Sequence, residues 1–303
     1  MAFIQFIIWL HGCTHYQGGN IMRWDFGKVY KTIRTGKGLS QKDVCHNQIN
    51  RTTLSRIEND NQNTSFESMQ YLLDQVNVSW DEFQYICNEF QHSSRNDIIN
   101  EYYTIVSTAE IKKVRNLQVR CEKFLKTVED NKIREIHFVL SALSKLETDC
   151  PNQIDATTKE LVSLVWNRLS KIDIWTYDDI RLINAILYHL EFPTILELVP
   201  KLRQALQKYE FYTNIDVLHT TLLINLAYIY MQNHYFLESQ EILTEALNLS
   251  KKLNRVDFIG ISTVRLGICS NDKQQVENGM LLLNLVGHDN LVLELEKEIV
   301  SFA

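Results

Sequence analysis

The sequence predicts an all-α protein: a head of five short helices, then a right-handed superhelix of helical hairpins. Three observations lead there. Glycine (10) and proline (3) are scarce in 303 residues, so the tight turns and Gly-rich loops of a strand-rich fold are lacking. Apolar residues recur at i, i+3, i+4 and i+7 along most of the chain, the period of a helix with one buried face. Hydrophobic residues make 45% and charged residues 22%, a balance that supports a packed core rather than a disordered chain.

The elements follow in order. Phe26, Val29, Tyr30 and Ile33 put one apolar stripe on a helix over 24–36. Ser40 reads as the N-cap of a second helix, "QKDVCHN", and Asn50 as the N-cap of a third, "RTTLSRIE". Ser65 opens a fourth over 65–76, with Ser68 where a complete capping box would have Glu or Gln. Ser79 opens a fifth within 78–90. Residues 22–90 thus form one domain, and the polar run "QHSSRND" at 91–97 reads as its linker. Paired helices are then expected near 98–107, 109–128, 132–147, 155–170, 178–190, 194–209, 215–232, 236–253, 256–270, 273–286 and 289–301, making 98–303 a helical-repeat domain.

Within residues 222–252, Leu226, Ala227 and Tyr230 are followed by Ser239, Leu243 and Ala246. Small side chains at Ala227, Ser239 and Ala246 let two antiparallel helices approach, and large ones fill the gaps. The spacing resembles the tetratricopeptide (TPR) pattern, and the large–small pair returns at Leu266–Gly267. A stack of such hairpins curves and offers a concave face lined by its first helices.

Charge is distributed unevenly. Residues 22–63 carry eight Lys/Arg against four Asp/Glu, while the whole chain stands at −6. A basic head on an acidic body is the asymmetry of a protein that meets an anion at one end. The six cysteines form no CxxC and match no zinc or disulfide framework, so reduced thiols in a cytoplasmic protein are expected. No HExxH, Gly-rich phosphate loop or nucleophile–base arrangement is found, so no enzyme, metal or cofactor is expected. Residues 1–21 contain no Asp, Glu, Lys or Arg, and their apolar run Ala2–Leu10 is too short to cross a bilayer. Met22 reads as the translation start and 1–21 as a leader outside the native fold; a membrane-tethering peptide is the alternative. His11, Cys13 and His15 lie close together but lack a fourth ligand for a metal.

Between Gln41 and Glu58, Val44, Ile49, Leu54 and Ile57 would face a core, with Cys45 at the small position where two helices touch. Arg51, Thr52 and Arg56 are then left on the outer faces of the third helix, where guanidinium groups and hydroxyls suit guanine edges and phosphates. "IRTGKGLSQKDVC…INRTTLSRIEND" resembles the helix-turn-helix of the phage-repressor (XRE) superfamily. The resemblance implies a phosphate contact at Gln41 and base contacts at Arg51, Thr52 and Arg56. It also implies a structural pair, Arg34 with Glu58. The candidate DNA-binding set is Gln41, Asn50, Arg51, Thr52, Thr53 and Arg56. The turn "CHNQIN" lacks the usual glycine, and the span is one residue shorter than the commonest repressor pattern.

That shortened turn, followed by about 200 residues of helical repeat, resembles the Rgg/MutR family from Met22 to the C-terminus. "WTYDDIRLINAILYHLEF" and "LLINLAYIYMQNHYF" carry the likeness in the repeat domain. The resemblance implies a cytoplasmic, homodimeric transcription regulator that binds promoter DNA and a short peptide pheromone. The candidate peptide-binding residues are Arg181, Asn184, Tyr188, Thr221, Asn225, Tyr228 and Arg265, polar positions that share helix faces. The same side chains could instead bridge neighbouring helices and satisfy one another. Dimerisation would use the Leu/Val-rich stretch "QQVENGMLLLNLVGHDNLVLELEKEIV". The competing class is a non-catalytic helical scaffold for a protein partner.

Overall fold

The computed structural model describes residues 25–46, 48–60, 62–105, 111–145, 156–213 and 215–302. Residues 1–21, read above as a leader, lie outside the described residues with His11, Cys13 and His15, as do Trp24 and Asn47. Among the described residues there are sixteen α-helices and no strand. The chain divides after Asp97 into two compact units.

The first unit holds α1 (Phe26–Gly36), α2 (Gln41–Val44), α3 (Arg51–Asn59), α4 (Phe66–Gln75) and α5 (Trp80–Cys87). Local chemistry sets each start. The Ser40 hydroxyl accepts from the Asp43 N–H while the Asp43 carboxylate accepts from the Ser40 N–H, a complete capping box. Asn50, Ser65 and Ser79 accept from the backbone N–H three residues on. Helix α2 is shorter than "QKDVCHN" suggests: Cys45 is already extended, and the chain turns there so that both Val44 and Ile49 enter the core. Tyr30, Val44, Leu54, Ile57, Met69, Leu72 and Phe83 form that core. Gly27 sets the distance between α1 and α3, because a Cβ there would lie 1.8 Å from the Ile57 carbonyl oxygen. The two backbones therefore touch, and the C-terminal end of α3 is held against α1.

The second unit is built from α6 (Ser94–Thr104), α7 (Ile111–Leu125), α8 (Asn131–Lys145), α9 (Ala156–Leu169), α10 (Tyr177–Ile186, prolonged by a 3-10 turn at Leu187–His189), α11 (Phe192–Lys208), α12 (Ile215–Gln232), α13 (Phe236–Lys252), α14 (Val256–Ser270), α15 (Lys273–Leu285) and α16 (Asp289–Phe302). Helix α6 starts inside the polar run 91–97, because the Ser93 hydroxyl accepts from the Asn96 N–H and caps it. Consecutive helices pair as hairpins, and α8, α10, α12 and α14 lie side by side to form one inner face. The small residues act as their spacing suggests: Ala227, Ser239 and Ala246 are fully buried, and Ser239 donates to the Ala227 carbonyl at 3.0 Å. In the next pair, a Cβ on Gly267 would meet the Val276 side chain at 2.7 Å, so α14 and α15 pack at backbone distance.

Candidate functional site

Two sets of polar side chains stand out, one in each unit. In the first, α3 is pinned from within. Glu58 is buried, and its carboxylate accepts from Arg34 Nε at 2.7 Å and Nη2 at 2.8 Å. The third guanidinium edge of Arg34 donates to the Leu39 carbonyl at 2.5 Å. Gln41 adds a fourth contact, its amide nitrogen 2.9 Å from Glu58 Oε2. The Glu58 hydrogen bonds hold the Arg34 pKa above its ordinary value although burial works the other way. A fork-to-fork pair of this kind fixes orientation as well as charge.

With Leu54, Ile57 and Glu58 turned inward, Asn50, Arg51, Thr52 and Arg56 are exposed and Thr53 is half-buried. Asn50 is occupied as the cap, accepting from the Thr53 N–H at 2.8 Å. Arg51 and Arg56 make no ion pair among the described residues. The outer edge of α3 thus presents two unneutralised guanidinium groups and a hydroxyl on a rigid, capped helix.

In the second unit, a continuous polar track crosses the inner face. On α10 and α12, Tyr188 donates to Asn225 Oδ1 at 2.8 Å and the Asn225 amide donates to Asn184 Oδ1 at 3.0 Å. The Asn184 amide reaches Thr221 Oγ1 at 3.4 Å. These four predicted positions are brought together and engage one another. Arg265, on α14, is almost closed to water. It donates to Glu298 of α16 at 2.9 and 2.6 Å and to the Ile224 carbonyl at 2.9 Å. Burial opposes its charge, but Glu298 outweighs burial and raises its pKa. Tyr228 stacks under this guanidinium at 4.6 Å and meets the ring of Phe302.

Arg181 is placed differently. Its guanidinium lies 4.3 Å from the ring centre of Tyr103 and 4.9 Å from that of Tyr177, and Nη2 donates to the Tyr177 hydroxyl at 2.8 Å. The nearby Asp178 carboxylate is taken by Lys132 and Tyr103. The sequence pattern did not single out Tyr103, Lys132, Asp178, Tyr177 or Glu298. Asp178 and Tyr177 were within reach, since they precede Arg181 by three and four residues on the same helix face. Tyr103, Lys132 and Glu298 come from distant helices and leave no local signal.

Among the described residues no group of His, Cys, Asp or Glu could hold a metal ion, and no helix is long and apolar enough to cross a membrane. The fold and these two sets define a class: an all-helical protein with a helix-turn-helix head and a TPR-like repeat body. A model of the C-terminal domain of the HTH-type transcriptional regulator Rgg matches residues 111–296, and the chain belongs to the Rgg family of transcriptional regulators. Solved structures share the fold. PlcR of Bacillus thuringiensis, in complex with the peptide PapR7 and DNA, is 17% identical with a TM-score of 0.63, covering 93% of this chain and 99% of that one. The SHP pheromone receptor Rgg2 of Streptococcus dysgalactiae is 18% identical with a TM-score of 0.61, covering 92% and 100%. ComR of S. thermophilus, in complex with DNA and its signalling peptide ComS, is 11% identical with a TM-score of 0.61, covering 91% and 99%. Among curated proteins, none matches this sequence.

Proposed function

We propose that the protein is a sequence-specific DNA-binding transcription regulator whose repeat unit responds to a short peptide. The observation that carries this reading is the outer edge of α3. Arg51, Thr52 and Arg56 face solvent on a helix that the buried Arg34–Glu58 pair and Gly27 hold rigid. Such a helix fits the major groove, with Arg51, Thr52 and Arg56 at base edges and Thr53 and Asn50 near the backbone. Gln41 gives one amide N–H to Glu58 and keeps the other for the phosphate contact expected of it.

The regulator acts as a homodimer in the cytoplasm, with two recognition helices spaced roughly 34 Å apart on a partly palindromic site. Exposed Leu281, Leu285 and Val286 with Leu293 and Val300 support a dimer contact through α15 and α16. The peptide lies along the inner face. Solved relatives in complex with DNA and peptides support both partners. Bound peptide shifts the dimer between states by its differential affinity for them. No catalytic role is assigned.

Genomic fragments selected with the purified chain test this reading. Enriched fragments should share a partly palindromic site, and their retention should collapse in Arg51→Ala and Arg56→Ala proteins that fold normally. Unselective retention that survives both substitutions would overturn the assignment.

A further inference from the structure

The inner face carries two arginines of opposite status. Arg265 is satisfied from within the chain, by the Glu298 carboxylate on two edges and the Ile224 carbonyl on a third. Arg168, on α9, is likewise paired, with Glu135 and Asp179. Among the described residues Arg181 makes no ion pair: the neighbouring Asp178 carboxylate feels its charge but is hydrogen-bonded to Lys132 and the Tyr103 hydroxyl. Its Nε is buried and makes no hydrogen bond among the described residues.

A half-buried guanidinium whose hydrogen-bonding capacity is not filled is costly unless something completes it. The two rings lie against the guanidinium and the Tyr177 hydroxyl takes one Nη2 hydrogen, so its orientation is set; Nη1, which makes no hydrogen bond among the described residues, is left for a carboxylate oxygen, and the ordering cost of binding one is reduced. Apolar surface adjoins it. Tyr177 meets Tyr212 at 5.1 Å and Tyr209 at 6.4 Å, forming a shelf at the end of α11. In the same loop Tyr212 is 54% exposed and Phe211 96% exposed. Large exposed rings beside an unpaired cation are the complement of a carboxylate carried next to an apolar side chain.

We propose that Arg181 is the carboxylate receptor of the inner face, and that the Tyr177–Tyr212 shelf takes the apolar side chain beside that carboxylate. Arg265 is then no ligand residue; it ties α16 to α12 and α14. This rests on the reading of the inner face as a peptide site. It adds which end of the track reads charge and what the peptide must carry there: a free C-terminus, or an Asp or Glu next to an apolar residue.

The test uses the full-length chain, immobilised, and pools of synthetic eight-residue apolar peptides. One pool ends in a free carboxylate, a second is amidated, and a third is amidated with one Asp at the penultimate position. Retained peptides are quantified by mass spectrometry. The wild-type chain should retain acid-bearing peptides roughly tenfold or more over the plain amides, as a charge-assisted pair implies. Preference for the free-acid pool identifies the C-terminus as the source, and preference for the third pool identifies a side chain. Arg181→Gln should erase the preference. Tyr212→Ser, at an exposed position that leaves the fold undisturbed, should weaken retention of every pool while keeping the preference. Equal retention of acids and amides by the wild-type chain would overturn the role of Arg181 and leave the peptide reading standing. No retention of any pool would overturn the peptide reading and this proposal with it.

Discussion

Arg34 and Glu58, 24 residues apart in sequence, meet through two nearly parallel contacts of 2.7 and 2.8 Å, with side chains almost closed to water. The pair joins α1 to the far end of α3, and Gln41 joins α2 to the same carboxylate. Three helices therefore meet at one acid. Removing either charge strands the other in a dry interior, at a cost of about 3–5 kcal/mol. Glu58→Gln and Arg34→Ala should each lower the unfolding free energy of the first unit by that order. Arg34→Lys should rescue little, since a point charge cannot fork. Denaturant titration of each protein, with DNA retention measured alongside, checks this; a Glu58→Gln chain as stable as wild type would refute it.

Gly27 allows a paired test with an internal control. A Cβ at Gly27 would stand 1.8 Å from the Ile57 carbonyl, whereas a Cβ at Gly36 on the same helix meets nothing within 4 Å. Gly27→Ala must push α3 off α1 and should cost about 1–3 kcal/mol or more, by analogy with overpacked cores. Gly36→Ala should be neutral or stabilise by about 0.5–1 kcal/mol, through lost freedom in the unfolded chain. Thermal melts of the two variants should therefore move in different directions.

The exposed arginines of α3 should behave in the opposite way to the clamp. Arg51→Ala and Arg56→Ala remove no ion pair among the described residues, so stability should stay within about 0.5 kcal/mol of wild type. DNA affinity should fall for both. A guanidinium on a base edge should relax specificity at one position, at about 1–3 kcal/mol, and one on phosphate should reduce the salt slope by about one. Titrations of a selected fragment at several salt concentrations separate the two cases.

Acid sensitivity is expected in the second unit. Both ring nitrogens of His189 are buried and make no hydrogen bond among the described residues, and burial holds its pKa below the ordinary value. His219 is lowered for the same leading reason, with Glu245 acting against it. The unfolded chain takes up the proton first. Stability is therefore full above about pH 6.5, the unfolded value, and falls as pH drops from there toward the lower folded value. Urea midpoints measured from pH 8 to pH 5 should decline through that window, and His189→Leu should flatten the decline. An unchanged slope in His189→Leu would assign the sensitivity to other groups.

The helices and their starts were legible in the sequence because both are local. A cap needs a hydroxyl or amide three residues before an N–H, and Ser40, Asn50, Ser65 and Ser79 meet that rule. The cap at Ser93 obeys it too, but sits in a run polar enough to read as a linker. The polar face of α10 and α12 was equally visible by its period. What its residues bond to was not. Arg181 and Arg265 look alike in sequence, yet one lies against the Tyr103 and Tyr177 rings and the other is locked to a carboxylate 33 residues away. Status of that kind is set by which helix lands opposite, and packing of distant segments leaves no trace in periodicity.

The Arg265–Glu298 contact supplies the last test. Glu298→Gln leaves a buried guanidinium with a neutral partner, and Arg265→Gln leaves a half-closed carboxylate beside Tyr188 and Tyr228. Each single change should destabilise by about 3–5 kcal/mol and loosen α16, seen as faster amide exchange across 289–302. The double change to Gln at both positions removes both charges and keeps a hydrogen-bonding pair in similar volume. It should recover much of the loss, giving a coupling energy of about 1–3 kcal/mol in the double-mutant cycle. Strictly additive losses would mean that the two side chains stabilise the unit independently and that α16 is held by its apolar contacts alone.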